Sequence, residues 1–166
     1  MKRLTVLIAV CLCPSAAVAQ NVRYEAETAQ TLAGVVVRNT QPGYSGTGYL
    51  TQFDSQTNSD YFEMQVTVPQ GLHELWVGYR SQHGQKGYTY RVDSTTGQGM
   101  FDPSTTFTSD RAALFNLPGG TTTLGIRENW GFYDIDYMEF RPFTPPTIQP
   151  ISTQLSDPNA DSHTRL

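Results

Sequence analysis

Between Val22 and Phe143 the chain is a succession of short runs in which apolar and polar side chains alternate, each closed by turn-forming residues. A period of two places every second side chain on one face of a strand. Tyr61–Val68 shows this most clearly, with Phe62, Met64, Val66 and Val68 sharing a face. In Gly71–Arg80 the shared face carries Leu75, Val77 and Tyr79, while Trp76, Gly78 and Arg80 lie opposite. The same pattern predicts strands over Val22–Glu27, Tyr88–Asp93, Ala112–Leu117, Thr121–Arg127 and Tyr133–Arg141. Pro69-Gln70-Gly71 and Pro118-Gly119-Gly120 predict turns between neighbouring strands. No helical periodicity competes. Strands this short and this numerous predict an all-β sandwich or jelly roll of about one domain length.

The ends of the chain depart from this pattern. Lys2 and Arg3 precede an apolar run from Leu4 to Cys13, and Ala17-Val18-Ala19 follows. That order predicts a secretory signal over residues 1–19, because the run is too short to span a bilayer. Its removal takes away the only two cysteines and leaves nine basic against fifteen acidic side chains, a formal charge of −6. A secreted domain without disulfides must rest on its core or on a metal. An acidic, aromatic-rich chain also lacks the basic stripes that nucleic acid requires. At the other end, Thr144-Pro145-Pro146-Thr147-Ile148-Gln149-Pro150 predicts an extended linker over residues 144–153. Residues 154–166 are polar and too few to fold alone, so the chain is expected to be part of a longer multidomain protein.

Two acidic pairs stand out. Glu25-Ala26-Glu27 and Asp134-Ile135-Asp136 each place two carboxylates on one strand face, near opposite ends of a domain whose terminal strands are expected to be neighbours. Clustered carboxylates repel unless a cation lies between them, and Ca²⁺ with its six to eight oxygen ligands would meet that need outside the cell. Separate solvent-facing acids are the other reading of the spacing. The three histidines, His73, His83 and His163, form no cluster that would suit zinc and read as surface residues. His83 falls in the Ser81–Gly87 hairpin loop, which could line a site.

Tyr24-Glu25-Ala26-Glu27, Gly43-Tyr44-Ser45-Gly46-Thr47-Gly48-Tyr49-Leu50, Leu75-Trp76-Val77-Gly78-Tyr79-Arg80 and Asp134-Ile135-Asp136-Tyr137-Met138-Glu139-Phe140 occur in that order. Together they resemble a family 35 carbohydrate-binding module, kin to family 6, over roughly Val22 to Phe143. The resemblance implies a jelly-roll β-sandwich of two antiparallel sheets with a structural Ca²⁺ away from the sugar site. Carried over by position, Glu25, Glu27 and Asp136 would be its carboxylate ligands, with backbone oxygens of Gly43–Gly46 completing the shell. The stretch from Gln154 to Arg165 resembles the start of a family 26 glycoside hydrolase, as in fungal endo-β-1,4-mannanases that carry such a module at the N-terminus.

Sugars offer apolar C–H faces and a rim of hydroxyls, which proteins meet with aromatic rings and polar side chains. The segment Glu128-Asn129-Trp130-Gly131-Phe132-Tyr133, before the last strand, is the candidate binding loop. Trp130 is read as a stacking platform in preference to a packing lid, with Asn129 beside it. Relatives commonly carry Asn where this chain has Asp134, and a carboxylate there would disfavour acidic sugars and tilt the ligand toward mannose or galactose. Phe107, with Phe101 nearby, either stacks on sugar or packs in the core. Tyr44 either walls the cleft or lies under its loop, and Arg80 either reaches a hydroxyl or pairs with a surface acid. Trp76 is expected to be buried.

The expected function is therefore that of a secreted, monomeric, non-catalytic module. It would hold an appended hydrolase on hemicellulose, most simply β-mannan or galactomannan, and have no role at nucleic acid or membrane. Uronic-acid-containing or xylan-type polymers are alternative ligands. A small glycosidase using Glu25, Glu27 and Asp136 is the alternative from another class, since hydrolysis needs two carboxylates across a cleft. An adhesion domain for cell-surface glycans is a third.

Overall fold

The computed structural model describes residues 20–54 and 59–146. Residues 1–19, expected to be a signal, most of the expected linker and the tail from residue 154, with His163, lie outside the described residues. Among the described residues nine strands and one short 3-10 turn follow in order: β1 Val22–Glu25, the turn Ala26–Thr28, β2 Thr31–Ala33, β3 Val36–Arg38, β4 Tyr49–Thr51, β5 Tyr61–Ser81, β6 Lys86–Val92, β7 Thr95–Phe101, β8 Ser104–Trp130 and β9 Asp134–Pro142. All pairings are antiparallel. The chain is a β-sandwich, as the alternation predicts.

The two predicted turns at Pro69–Gly71 and Pro118–Gly120 are instead corners inside two long strands. β5 and β8 pair along almost their whole length, from Tyr61↔Arg127 to Ser81↔Ser104. Their outer partners change at the corner. The first half of β5 pairs with β2, and its second half pairs with β9 from His73↔Pro142 to Arg80↔Asp134. The last part of β8 pairs with β6. One layer thus holds β3, β4, β1, β9 and the second half of β5 with the first half of β8. The other holds β2, β6, β7 and the remaining halves. Gly71 at φ +110°, Gly119 at +80° and Gly120 at +84° occupy backbone conformations that L side chains resist.

The corner also shifts the inward parity. Phe62, Met64, Val66 and Val68 are buried before it, and His73, Leu75, Val77 and Tyr79 after it, so both halves face one core. His73 is therefore buried rather than surface-exposed, its Nδ1 lying 3.1 Å from the Gly71 carbonyl oxygen. Trp76, expected to be buried, is only half-buried on the outer face. Its Nε1–H donates to Glu74 at 2.9 Å, and the Arg141 guanidinium covers its ring at 4.0 Å. The outer face thus supplies polar partners for the indole at little cost in water exposure.

Near the site the core is aromatic. Phe101 lies between Tyr79 and Tyr88, with centroids 4.1 and 4.0 Å away and rings nearly parallel. Tyr133 meets Phe101 edge-on at 5.0 Å and stacks on Phe53 at 4.8 Å. Phe101 is fully buried and is a core residue, not a platform. Phe53 and Tyr133 carry this stack to the rim, where they form part of a cavity wall.

Candidate carbohydrate site and acidic cluster

β8 ends at Trp130 and β9 begins at Asp134, so only three residues turn the chain between them. Trp130 is 58% exposed and Phe132 53%. Phe132 takes φ +71°, rare for a bulky side chain, and is held there by its N–H donating to the Phe53 carbonyl at 2.5 Å. Between the two rings sits Lys86, itself largely buried, with Nζ 4.8 Å from the Trp130 centroid and 5.6 Å from that of Phe132. An ammonium over two ring faces holds both rings in place while leaving their outer surfaces to solvent.

Behind Phe132 opens a cavity of about 180 Å³ lined by Arg80, Asp134, His83, Gln52 and Tyr133 among others. Gln52, at φ +70°, is a second strained residue on this rim. Two such outliers on one cavity mark a place where geometry is maintained against local preference. Asp134 is not a free carboxylate: Arg80 donates to its Oδ2 through Nε at 2.8 Å and through a terminal nitrogen at 2.5 Å, and both side chains are buried. Arg80 thus pairs with an acid as one of its two readings required, but the acid is a buried one. The cavity wall thus contains a neutral ion pair.

The six sequence-derived sugar candidates divide into three places. Trp130 and the half-buried Asn129 lie at the end of β8, and Arg80 and Asp134 lie in the cavity. Tyr44 and Phe107 lie elsewhere, lining a separate cavity of about 330 Å³ with Ser45 and Asp136. There Phe107 packs on Tyr49 at 5.1 Å and on Tyr44 at 6.4 Å, so the two do not face the cavity that holds Asp134. The Arg80 guanidinium, 5.7 Å from the Phe107 ring, lies between the two cavities. Phe132, Lys86 and Gln52 were not singled out in the sequence. A lysine in a hairpin and a glutamine after a strand carry no pattern of their own, but Phe132 beside Trp130 in a glycine-containing loop was a readable signal.

Three of the four paired acids, Glu25, Glu27 and Asp136, do meet, though not as a strand would bring them, while Asp134 stays with Arg80. Glu25 ends β1 and Glu27 lies in the 3-10 turn, so the two do not share a strand face. The fully buried Ala26 draws the chain inward, and Thr28 Oγ1 donates to the Glu25 carbonyl at 2.7 Å. β1 pairs with β9, Glu25 opposite Tyr137, which sets these carboxylates near Asp136. The loop before β4 ties all three. Ser45 Oγ donates to Glu25 at 2.7 Å, the Ser45 N–H donates to Asp136 at 2.9 Å, and the Thr47 N–H donates to Glu27 at 2.7 Å. Glu27 Oε2 is buried and finds no partner among the described residues. Burial, offset by the Ser45 amide but reinforced by Glu25 and Glu27, pushes the Asp136 carboxyl up to about 6. As they stand, the carboxylates are bound to different atoms of the loop, and no three His, Cys, Asp or Glu side chains among the described residues converge so as to hold a metal.

A family model for carbohydrate binding module (family 35) matches residues 22–143. A mannan endo-1,4-β-mannosidase of Thermothelomyces thermophilus is 31% identical over 143 residues, 86% of this chain and 29% of that protein. Mannan endo-1,4-β-mannosidase B of Piromyces sp is 32% identical over 120 residues, 71% and 21% respectively. The chain therefore spans less than a third of the length of either relative. Among solved structures, the Podospora anserina GH26-CBM35 β-(1,4)-mannanase superposes with a TM-score of 0.69 at 34% identity, covering 85% of this chain and 32% of that one. The family 35 module of Paenibacillus barcinonensis, 23% identical with a TM-score of 0.64 over 74% of this chain and 99% of its own, shares the fold. With the sandwich, the match across its whole length and the relatives in agreement, the chain belongs to carbohydrate-binding module family 35, a family of non-catalytic binding modules.

Proposed function

We propose that this module holds a mannan-degrading enzyme on its substrate, gripping β-mannan or galactomannan at the Trp130–Phe132 end of the sandwich. The observation that carries this reading is the pair of exposed rings, Trp130 and Phe132, that flank Lys86, with Phe132 also lining the cavity that holds Arg80 and Asp134. Rings of this kind take the C–H face of a pyranose, while Arg80, Asp134 and Gln52 offer hydrogen bonds to its hydroxyls. The mannanase activity of the relatives supports mannan as the polymer and a mannanase as the protein to which the module is tethered. The basic start and apolar run of residues 1–19 support secretion.

The donor chemistry at Glu25, Glu27 and Asp136 suits Ca²⁺. The carboxylates are all oxygen donors, Glu27 Oε2 has no other partner among the described residues, and the raised proton affinity of Asp136 comes first from burial and then from the nearby Glu25 and Glu27. With the ion bound, these residues would hold it, and its role would be to join the β1 end, the Ser45 loop and β9. Carboxylates so engaged would supply neither acid nor nucleophile, which is why the glycosidase reading is the weaker one.

Uronic-acid polymers are a second reading because Arg80 neutralises Asp134 and leaves Lys86 as a cation beside the Trp130 and Phe132 rings. Affinity electrophoresis on galactomannan, glucuronoxylan and pectin separates the two. Mannan binding is expected to retard the protein on galactomannan first. Trp130→Ala should abolish retention on insoluble mannan while leaving the melting temperature unchanged. Retention at the parent level would remove Trp130 from the site.

A further inference from the structure

We propose that Met100 is a modification site, at which oxidation of the thioether to the sulfoxide weakens polysaccharide binding at the neighbouring Trp130. The proposal rests on the reading of Trp130 as part of the sugar site. Strand register brings the two residues together. Gly87 of β6 pairs with Met100 of β7 on one side and with Trp130 of β8 on the other. A Cβ at Gly87 would lie 3.4 Å from the Met100 sulfur and 3.5 Å from the Trp130 Cβ, so both side chains border the space that the glycine leaves. Gly87 itself is buried beneath them. Met100 is 46% exposed, while Phe101, the next residue of β7, is fully buried in the core. Alternation therefore turns Met100 outward, and the thioether and the indole flank β6 as one apolar strip.

The chain directs an oxidant to this sulfur. Thiols and exposed thioethers are the side chains that peroxides oxidise most readily. Cys11 and Cys13 are the only cysteines in the sequence, and both precede the described residues. Of the three methionines in the described part, Met64 and Met138 are buried in the core. Met100 is thus the one methionine sulfur among the described residues that a peroxide in solution can reach. One oxygen of hydrogen peroxide transfers to a sulfur lone pair, the O–O bond breaks, and the other oxygen leaves as water. The sulfur loses two electrons and the peroxide gains them. The product carries an S–O dipole that must stay hydrated or find a donor. On a strip that gives up its water to the C–H face of a sugar, that dipole opposes binding. Because Met100 stands outside the core, the packing of the fold is untouched.

The test treats the full chain with dilute hydrogen peroxide, maps the oxidised residues by peptide mass spectrometry, and compares retention in galactomannan affinity gels before and after. A single oxygen added at Met100 and binding weakened about fivefold, the scale of one lost apolar contact, are expected at an unchanged melting temperature. Methionine sulfoxide reductase, with a dithiol as reductant, should restore retention. Met100→Leu, compared with itself before and after treatment, should not respond to peroxide. Met100→Gln should weaken retention without any oxidant. Oxidation at Met100 that leaves retention unchanged, or a response that persists in Met100→Leu, would overturn the proposal and leave the Trp130 reading intact. Oxygen added to Trp130 ahead of Met100 would do the same. Parent-level retention by Trp130→Ala would remove the reading on which the proposal stands, and the proposal with it.

Discussion

Asp134 shows how far a residue's role depends on its partner. Read alone it is a carboxylate that would repel acidic sugars, but its charge is met by Arg80 and both side chains are buried. Breaking a buried pair from one side leaves an uncompensated charge, which typically costs about 3–5 kcal/mol. Asp134→Ala is therefore expected to lower the urea unfolding midpoint by that much free energy at unchanged slope. Joint replacement, Arg80→Met with Asp134→Leu, should recover most of the stability while sugar binding stays lost. If the double variant regained binding, the pair would be scaffold alone. Trp130 is the opposite case, exposed enough that its removal should be felt by ligand and not by the fold.

At the scale of elements, the corner in β5 and β8 does what a turn was expected to do without ending either strand. Gly71 has no atom closer than 3.9 Å to a notional Cβ, so the cost of a side chain there would be backbone strain and not collision. Gly71→Ala should destabilise by about 1–2 kcal/mol, measured by thermal or urea unfolding. A neutral result would mean that the corner relaxes. Phe101 marks the other structural element that serves the site, the stacked rings running through Tyr133 to Phe53. Phe101→Ala is expected to cost about 3–5 kcal/mol, and to weaken sugar binding in the fraction that stays folded because the cavity wall loses its backing.

For the whole molecule, a domain without disulfides must hold its terminal strands by other means. β1 and β9 are joined by four paired positions and by the acidic cluster around Ser45. A cation there would bind the native state and not the unfolded chain, and so would raise the melting temperature. Chelation is expected to lower that temperature while leaving galactomannan affinity within about twofold. An equal loss of both would place the ion in the sugar site, and no change in either would leave the carboxylates to the Ser45 and Thr47 hydrogen bonds alone.

Apolar alternation determined the fold class, the buried faces of β5 and the pairing of a β-rich start with a β-rich end, because a period of two is written directly in the order of side chains. His73 was read as a surface residue, yet it shares the inward parity of Leu75 and Val77 and is buried with them. The 3-10 turn after Glu25 and the three-residue strands β2, β3 and β4 were not legible, because segments so short take their form from neighbours distant in the chain. The acidic pairs announced a cluster, but only the β1–β9 register and the Ser45 loop decided which carboxylates meet. Likewise Trp130 was visible as an aromatic in a polar loop. That Lys86 would stand between it and Phe132, that Arg80 would neutralise Asp134, and that Tyr44 and Phe107 would face another cavity were settled by strand register. Cross-strand neighbours lie tens of residues apart, and no local pattern encodes which of them share a surface.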